Sequence, residues 1–339
     1  MYIYNTNTVG KSVCYVKPVL WILALLALNS VANGQSTEAE FEALMKQRNA
    51  AAVETLARQR LQAVPTDDMA LWAWGRVVAG DPIKRAEVLP RAEACVVVRP
   101  QSARCHHVLA GLYSSMAMSA GITDGLKLAG KIKDHLVQAV KWDPRNFLMR
   151  WELSQFYLQA PGIVGGSVRK ARALALDYAS VDPVRSRLLM AAVHTYEKEW
   201  PEAAAELGAV QAGRNPGLLE DLNDGWVNLG FAQLRAEESE PAAKAFRQVL
   251  ATNPEHAHAH FGLGRCHLAQ NRASEAIAAL DRAAQLNPKL NVYYHLGIAY
   301  QSKGDKSNAI TAFQQALRLP LSGKSADDVQ QRLKQLGDG

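Results

Sequence analysis

The 339 residues are 48% apolar and 21% charged, with 38 lysines and arginines against 32 acids and a formal net charge of +6. That apolar content excludes a disordered chain, and 23 glycines with 14 prolines are too few for a collagen-like or low-complexity one. The basic excess is small and spread along the chain, which excludes the clustered footprint of a nucleic-acid-binding surface. The length fits about two ordinary domains or a single repeat array.

Residues 1–34 contain no acid and two lysines, Lys11 and Lys17, ahead of an apolar run from Val19 to Leu28. At ten residues the run is too short for a helix crossing a bilayer core of about 30 Å, and it fits the apolar region of a secretory leader. Ala32 and Gly34 supply small residues for cleavage before Gln35, so residues 1–34 are predicted to be a cleaved signal peptide. The alternative is an uncleaved N-terminal anchor. Cys14 precedes the run, so it is not placed as a lipidated cysteine. No second run of spanning length follows. The mature chain is therefore expected to be exported, periplasmic or secreted, without a membrane span. Without the two leader lysines, 36 basic residues face 32 acids, a net of +4.

Export permits disulfides. The mature chain keeps Cys95, Cys105 and Cys266. Cys95 and Cys105, ten residues apart across a predicted helix-turn-helix, form the candidate bridge, the alternative being two small core residues. Cys266 falls on an apolar helix face and is expected to be buried and free.

Eight of the 14 prolines form a series: Pro65, Pro100, Pro144, Pro183, Pro216, Pro254, Pro288 and Pro320. Their gaps are 35, 44, 39, 33, 38, 34 and 32 residues. Five follow Asp or Asn, which is turn chemistry. Two amphipathic helical segments fit each interval. In the C-terminal third the units align in detail. Trp226, Leu229 and Gly230 open one, and Ala242, Phe246 and Pro254 close it. His260, Leu263, Gly264 and His267 begin the next, ahead of Ala276, Leu280, Ala283 and Pro288. Tyr293, Leu296, Gly297 and Tyr300 begin the third, ahead of Ala309, Phe313, Ala316 and Pro320.

A unit of about 34 residues with two helices and a closing proline resembles the tetratricopeptide repeat family. The resemblance implies an all-α, right-handed α-solenoid of seven or eight helix-turn-helix repeats. Residues 35–222 are read as looser units, keeping register through Trp74-Gly75, Leu109-Ala110 with Tyr113, and Leu153-Ser154 with Tyr157. Inserted loops are predicted near 121–131 and 161–167, and the 186–217 unit is degenerate. Residues 223–322 hold three regular units. Ser325 to Asp328 reads as a capping box leading a final capping helix within 323–339.

No phosphate-loop, dinucleotide, zinc-protease, nucleophile-elbow or CxxC string occurs, so no catalytic residue, cofactor or metal is expected. His256 and His260 have the i, i+4 spacing of zinc ligands. However, His260 and His267 occupy slots that the family fills with large core-facing residues, and are expected to be packed and hydrogen-bonded. Gly165, Gly166, Ser167, Arg169 and Lys170 form a glycine-rich entry to a helix. This is either an anion-holding loop or an inserted turn capped by Ser167, and the inserted turn is the favoured reading. In the family the first helix of each unit lines a concave groove. Carried over, that gives Asp224, Val227, Phe231 and Leu234, then His258, Phe261, Arg265 and Leu268, then Asn291, Tyr294, Ile298 and Gln301. Earlier units add Met69, Trp72 and Arg76, and Leu148, Trp151 and Gln155. The aromatics suit an apolar or extended peptide, with Arg76 and Arg265 able to hold a carboxylate. Val227, Phe231 and Phe261 stand where the chaperone-tail version of the family has lysines and asparagines.

The expected protein is thus an exported scaffold or adaptor, not an enzyme. It binds a protein or peptide partner in its groove, in envelope assembly or secretion, and does not bind nucleic acid. Two alternatives are a small-molecule or anion-binding module built on residues 161–170, and a self-associating structural subunit.

Overall fold

A computed structural model describes residues 38–288, 290–319 and 323–337. The predicted leader lies outside these residues. Among them the chain forms helices α1 to α17 and no strand. They pack as two units, one ending at Asp143 and one beginning at Pro144.

The first unit contains α1 (38–46), α2 (Ala50–Ala63), α3 (Asp68–Val78), α4 (Pro82–Val98), α5 (Ala103–Ser119) and α6 (Ile122–Trp142). The second contains α7 (Phe147–Gln159), α8 (Val168–Tyr178), α9 (Pro183–Glu197), α10 (Trp200–Gly208), α11 (Pro216–Arg235) and α12 (Ser239–Thr252). It continues with α13 (Ala257–Ala269), α14 (Ala273–Leu286), α15 (Tyr293–Ser302), α16 (Lys306–Ala316) and α17 (Gly323–Gly337). Successive helices pair, and in the second unit each odd-numbered helix from α7 to α15 also touches the next odd one. The odd helices therefore share one layer and one face.

Local chemistry sets the helix starts. Asp67, Ser102, Asn146, Asn215 and Asp305 each cap a helix by accepting a backbone N–H three residues on. Pro183 and Pro216 are the first residues of α9 and α11, where a missing N–H costs nothing. They open the following helix rather than closing the preceding unit.

Packing within each regular pair depends on small residues. A Cβ on Gly297 would lie 2.4 Å from the ring of Phe313, which is fully buried. Gly230 meets Phe246 and Gly264 meets Leu280 in the same way. These contacts build the separate apolar clusters around Phe246, Leu280 and Phe313.

Three expectations are corrected. Residues 122–131 are not a loop but the first half of α6, because Leu126, Leu128, Ala129 and Ile132 continue the helical apolar pattern through Gly125 and Gly130. Near 161–167 the chain does leave the helix, through a short 3-10 turn at Gly162–Val164. Ser325 does not begin the last helix, since α17 starts at Gly323. Asp328 accepts from Tyr294 Oη at 2.9 Å and from Arg332 Nε at 2.7 Å. The third correction concerns His267. It packs as expected, but its Nδ1 is buried with no hydrogen-bond partner among the described residues.

A disulfide joins Cys95 on α4 to Cys105 on α5, with Cα atoms 5.8 Å apart. Cys266 is free and buried, and burial pushes its thiol up to about 12.

Candidate functional site

The face shared by the odd helices of the second unit holds a cleft of about 720 Å³ between α7, α9 and α11, closed at one side by the start of α10. Its floor is small and apolar, with Leu188, Ala191, Ala192, Gly225 and Ala232. Trp151, Tyr196 and Trp200 supply aromatic surface, and Tyr196 is 52% exposed. Gln155, Gln159, Thr195 and Asn228 supply neutral hydrogen-bonding groups, and Lys198 and Arg235 supply positive charge. Among the described residues no carboxylate lines it. A cleft of this size, mainly apolar with a few convergent polar groups, is the usual form of a recognition site.

Beyond the cleft the same face carries an aromatic step. Phe231 on α11 and Phe261 on α13 lie 6.1 Å apart. The Arg265 guanidinium sits 5.9 Å from the first ring and 5.7 Å from the second. Behind Phe261, the half-buried His295 ring lies 5.3 Å away. Burial, and then the nearby Arg265 charge, push His295 down to about 3, so it is neutral at ordinary pH.

The groove residues expected from the sequence divide by position. Trp151 and Gln155 line the cleft. Phe231, Leu234, Phe261 and Arg265 are half-buried on the adjoining face, and His258 is exposed. Asp224 is exposed on this face. Partial desolvation, then Glu220 and Asp221, raises its carboxyl above the usual range. Val227 does not belong to the groove: at 9% exposure it packs with Ala242, Ala243 and Phe246, because its Cβ points toward α12. Tyr294 and Ile298 are also withdrawn, packed with Leu333 and Leu336 of α17, and Gln301 accepts from Arg332 at 2.8 Å. Asn291 is half-buried, and its Oδ1 has no hydrogen-bond partner among the described residues. In the first unit Trp72 donates to His107 Nδ1 at 2.8 Å, and Arg76 lies over the Trp72 ring.

Neither side candidate forms a site. In the glycine-rich segment, Gly165 N–H donates to Gly162 O, Gly166 N–H to Pro161 O and Ser167 N–H to Tyr157 O. Ser167 Oγ caps Lys170 N–H, and the Lys170 ammonium lies over the Tyr157 ring. Three of the loop's amides are therefore used internally, and Ser167 caps the helix as in the favoured reading of an inserted turn. His256 is the N-cap of α13, accepting from Ala259 N–H, and His260 donates to Pro254 O. Among the described residues no group of three or more His, Cys, Asp or Glu is placed to hold a metal ion.

Tyr196, Lys198, Trp200, Asn228 and Arg235 were not found from the sequence. Tyr196, Lys198 and Trp200 lie in the degenerate unit, where no small-residue landmark fixes the register, and Asn228 and Arg235 lie on α11 outside the positions carried over for the groove.

Paired helices in two layers, with one layer exposing an aromatic cleft, define an α-solenoid scaffold built for contact with other macromolecules. Residues 227–291 and 290–321 each match the tetratricopeptide repeat, so this part of the chain carries tetratricopeptide repeats. No curated protein matches the chain in sequence. Among solved structures, yeast Tom70 is similar over 85% of this chain and 59% of its own, at 13% identity and a TM-score of 0.61. The Cut9–Hcn1 hetero-tetramer of APC/C is similar over 85% and 52%, at 15% identity and a TM-score of 0.49. A tetratricopeptide repeat protein from Parabacteroides merdae is similar over 89% and 98%, at 12% identity and a TM-score of 0.47. The chain thus spans little more than half the length of the first two, and these likenesses concern the fold alone. No described helix is long and apolar enough to cross a membrane.

Proposed function

We propose that the protein is a non-enzymatic, exported adaptor that holds a peptide segment of a protein partner on the odd-helix face of its second unit, in assembly or secretion at the cell envelope. The observation that carries the reading is the cleft itself. Three aromatic side chains stand in it around a small apolar floor, with hydrogen-bonding amides at hand. Solenoids of this family serve as interaction scaffolds, and affinity accumulates as successive units each contribute a few side chains. Export rests on the leader pattern in residues 1–34 and is compatible with the Cys95–Cys105 bridge.

Binding of an arrayed peptide library to the wild type, Tyr196→Ala and Phe261→Ala tests the reading. Each variant should lose at least about ten-fold in affinity while its helix content is unchanged. Equal binding by all three proteins would remove the face from consideration. Export has its own test: protein recovered from an expressing bacterium should begin at Gln35, and a chain retained in the cytoplasm with Met1 intact would contradict it.

A further inference from the structure

The first unit holds a pair of imidazoles that the groove reading leaves unused. α5 carries His106 and His107 in succession, and they turn to different helices. His107 Nδ1 accepts from Trp72 on α3 at 2.8 Å. His106 faces α6, where its Nδ1 lies 2.9 Å from Nδ1 of His135. Hydrogen-bond chemistry fixes the protons. His106 Nε2 lies 3.0 Å from Pro100 O, and a carbonyl only accepts, so that nitrogen carries the hydrogen. In that tautomer His106 presents a bare lone pair at Nδ1, and His135 donates to it from its own Nδ1. Two ring nitrogens on separate helices are thus aimed at one point. A backbone carbonyl holding the far N–H of an imidazole is the usual support of a metal-binding histidine.

The surroundings decide which ion such a pair suits. His106 is buried and His135 half-buried. Burial, then the facing His106, push His135 below its ordinary value, so its ring is neutral and able to bind a metal at neutral pH. The carboxylates nearby have other partners: Glu93 accepts from Tyr113 Oη at 2.8 Å, and Asp134 pairs with Lys133. Tyr113 stacks on the His135 ring, and the Lys131 ammonium lies over Tyr113. Among the described residues no third His, Cys, Asp or Glu completes a metal-holding group. Zinc needs four ligands, and a dication beside Lys131 would find no negative ligand to offset its charge. Copper(I) is different: it is monovalent and is satisfied by two imidazole nitrogens in line. The other neighbouring pair offers no such site, since His256 and His258 have ring centroids 6.1 Å apart and His256 Nδ1 accepts the Ala259 N–H.

We propose that His106 and His135 form a two-coordinate copper(I) site in the first unit, joining α5 to α6 through their Nδ1 atoms. Two metal–nitrogen bonds of about 2 Å in line span about 4 Å, so the rings part by about 1 Å as the ion enters. His135 carries its proton on Nε2 in the bound form, so the protein releases no proton and no electron is transferred. Bound copper(I) ties the two helices together and stabilises the first unit by mass action. The site belongs to the first unit and does not depend on the groove reading.

The test uses the full chain carrying Cys14→Ala and Cys266→Ala, so that no free thiol competes, with the Cys95–Cys105 bridge verified by thiol counting. Copper(I) is supplied with ascorbate in the absence of oxygen, in competition with the chelator bicinchoninate. One equivalent should bind, and X-ray absorption should show a linear centre with two nitrogen neighbours and no sulfur. His106→Gln keeps a donor for Pro100 O and His135→Asn keeps one for His106, yet each removes a ligand nitrogen. Each should weaken binding by more than the roughly 10–100-fold that loss of a supporting group costs, with helix content unchanged. His258→Gln should bind copper(I) as the parent does, and excess zinc(II) should not displace it. Failure of the parent to take copper(I) from the chelator overturns the proposal. A four-coordinate or sulfur-bound spectrum, displacement by zinc(II), or equal binding by both ligand variants overturns it as well.

Discussion

Gly297→Ala and Gly130→Ala are the same chemical change in two helices, and the structure gives them opposite signs. Replacing a helix-interior glycine by alanine gains about 1 kcal/mol from the reduced freedom of the unfolded chain. At Gly130 in α6 a Cβ would meet nothing within 4 Å, so that gain should appear as about 0.5–1 kcal/mol of added stability. At Gly297 in α15 the Cβ would fall 2.4 Å from two ring atoms of Phe313 and 2.8 Å from a third. Phe313 is fully buried among Ala309, Ala316 and Val329 and has no space into which to swing. Overpacking costs about 1–3 kcal/mol, and two ring atoms at 2.4 Å with no room to move place this site in the upper part of that range, about 2–3 kcal/mol, which leaves a net loss of about 1–2 kcal/mol. Urea unfolding followed by circular dichroism measures both, each variant reporting on its own unit. A Gly297→Ala protein as stable as the wild type would refute the close-approach account of the repeat.

Two further outcomes follow from burial and linkage. His295 has its folded pKa pushed down to about 3 by burial, and then by Arg265. The unfolded chain therefore takes up the proton first, so the stability held by neutral His295 is fully present above about pH 6.5 and is lost as the pH falls. Between pH 7 and 5 this amounts to about 1–2 kcal/mol, discounted for its half-buried position, and His295→Gln should flatten that part of a melting-temperature profile. An unchanged profile would place the imidazole in contact with solvent. The Cys95–Cys105 bridge closes a loop ten residues apart in sequence. A Cys95→Ala/Cys105→Ala protein should lose about 2–3 kcal/mol by the loop-entropy estimate, with the loss confined to the first unit. Equal stability with and without reductant in the wild type would contradict a structural role.

What could be read from the sequence follows the strength of each local signal. The regular units were legible because Gly230, Gly264 and Gly297 mark the close approach of two helices, and nothing larger fits there. Residues 122–131 were not, because Gly121, Gly125 and Gly130 look like loop punctuation, while the apolar pattern around them keeps the segment helical. Val227 shows the limit of carrying a face over from a family. It lies four residues before Phe231, yet it faces Phe246 and fills the core. Tyr294 and Ile298 satisfy the groove spacing, but α17 packs as a further helix of the same layer and takes up their surface. The cleft itself depends on Tyr196, Lys198 and Trp200 in the degenerate unit, whose alanine-rich helices give no landmark for the register. Its existence is a tertiary fact.

The most direct test of the scaffold claim is hydroxyl-radical footprinting of the protein with and without a peptide selected from the arrayed library, read at single side chains. Tyr196 is 52% exposed in the cleft, and Met118 in the first unit is 89% exposed. The account predicts that the peptide suppresses oxidation at Tyr196, with Trp151 and Trp200 following, and leaves Met118 unchanged. Suppression at Met118 with Tyr196 still reactive would place the partner elsewhere and contradict the assignment of the odd-helix face.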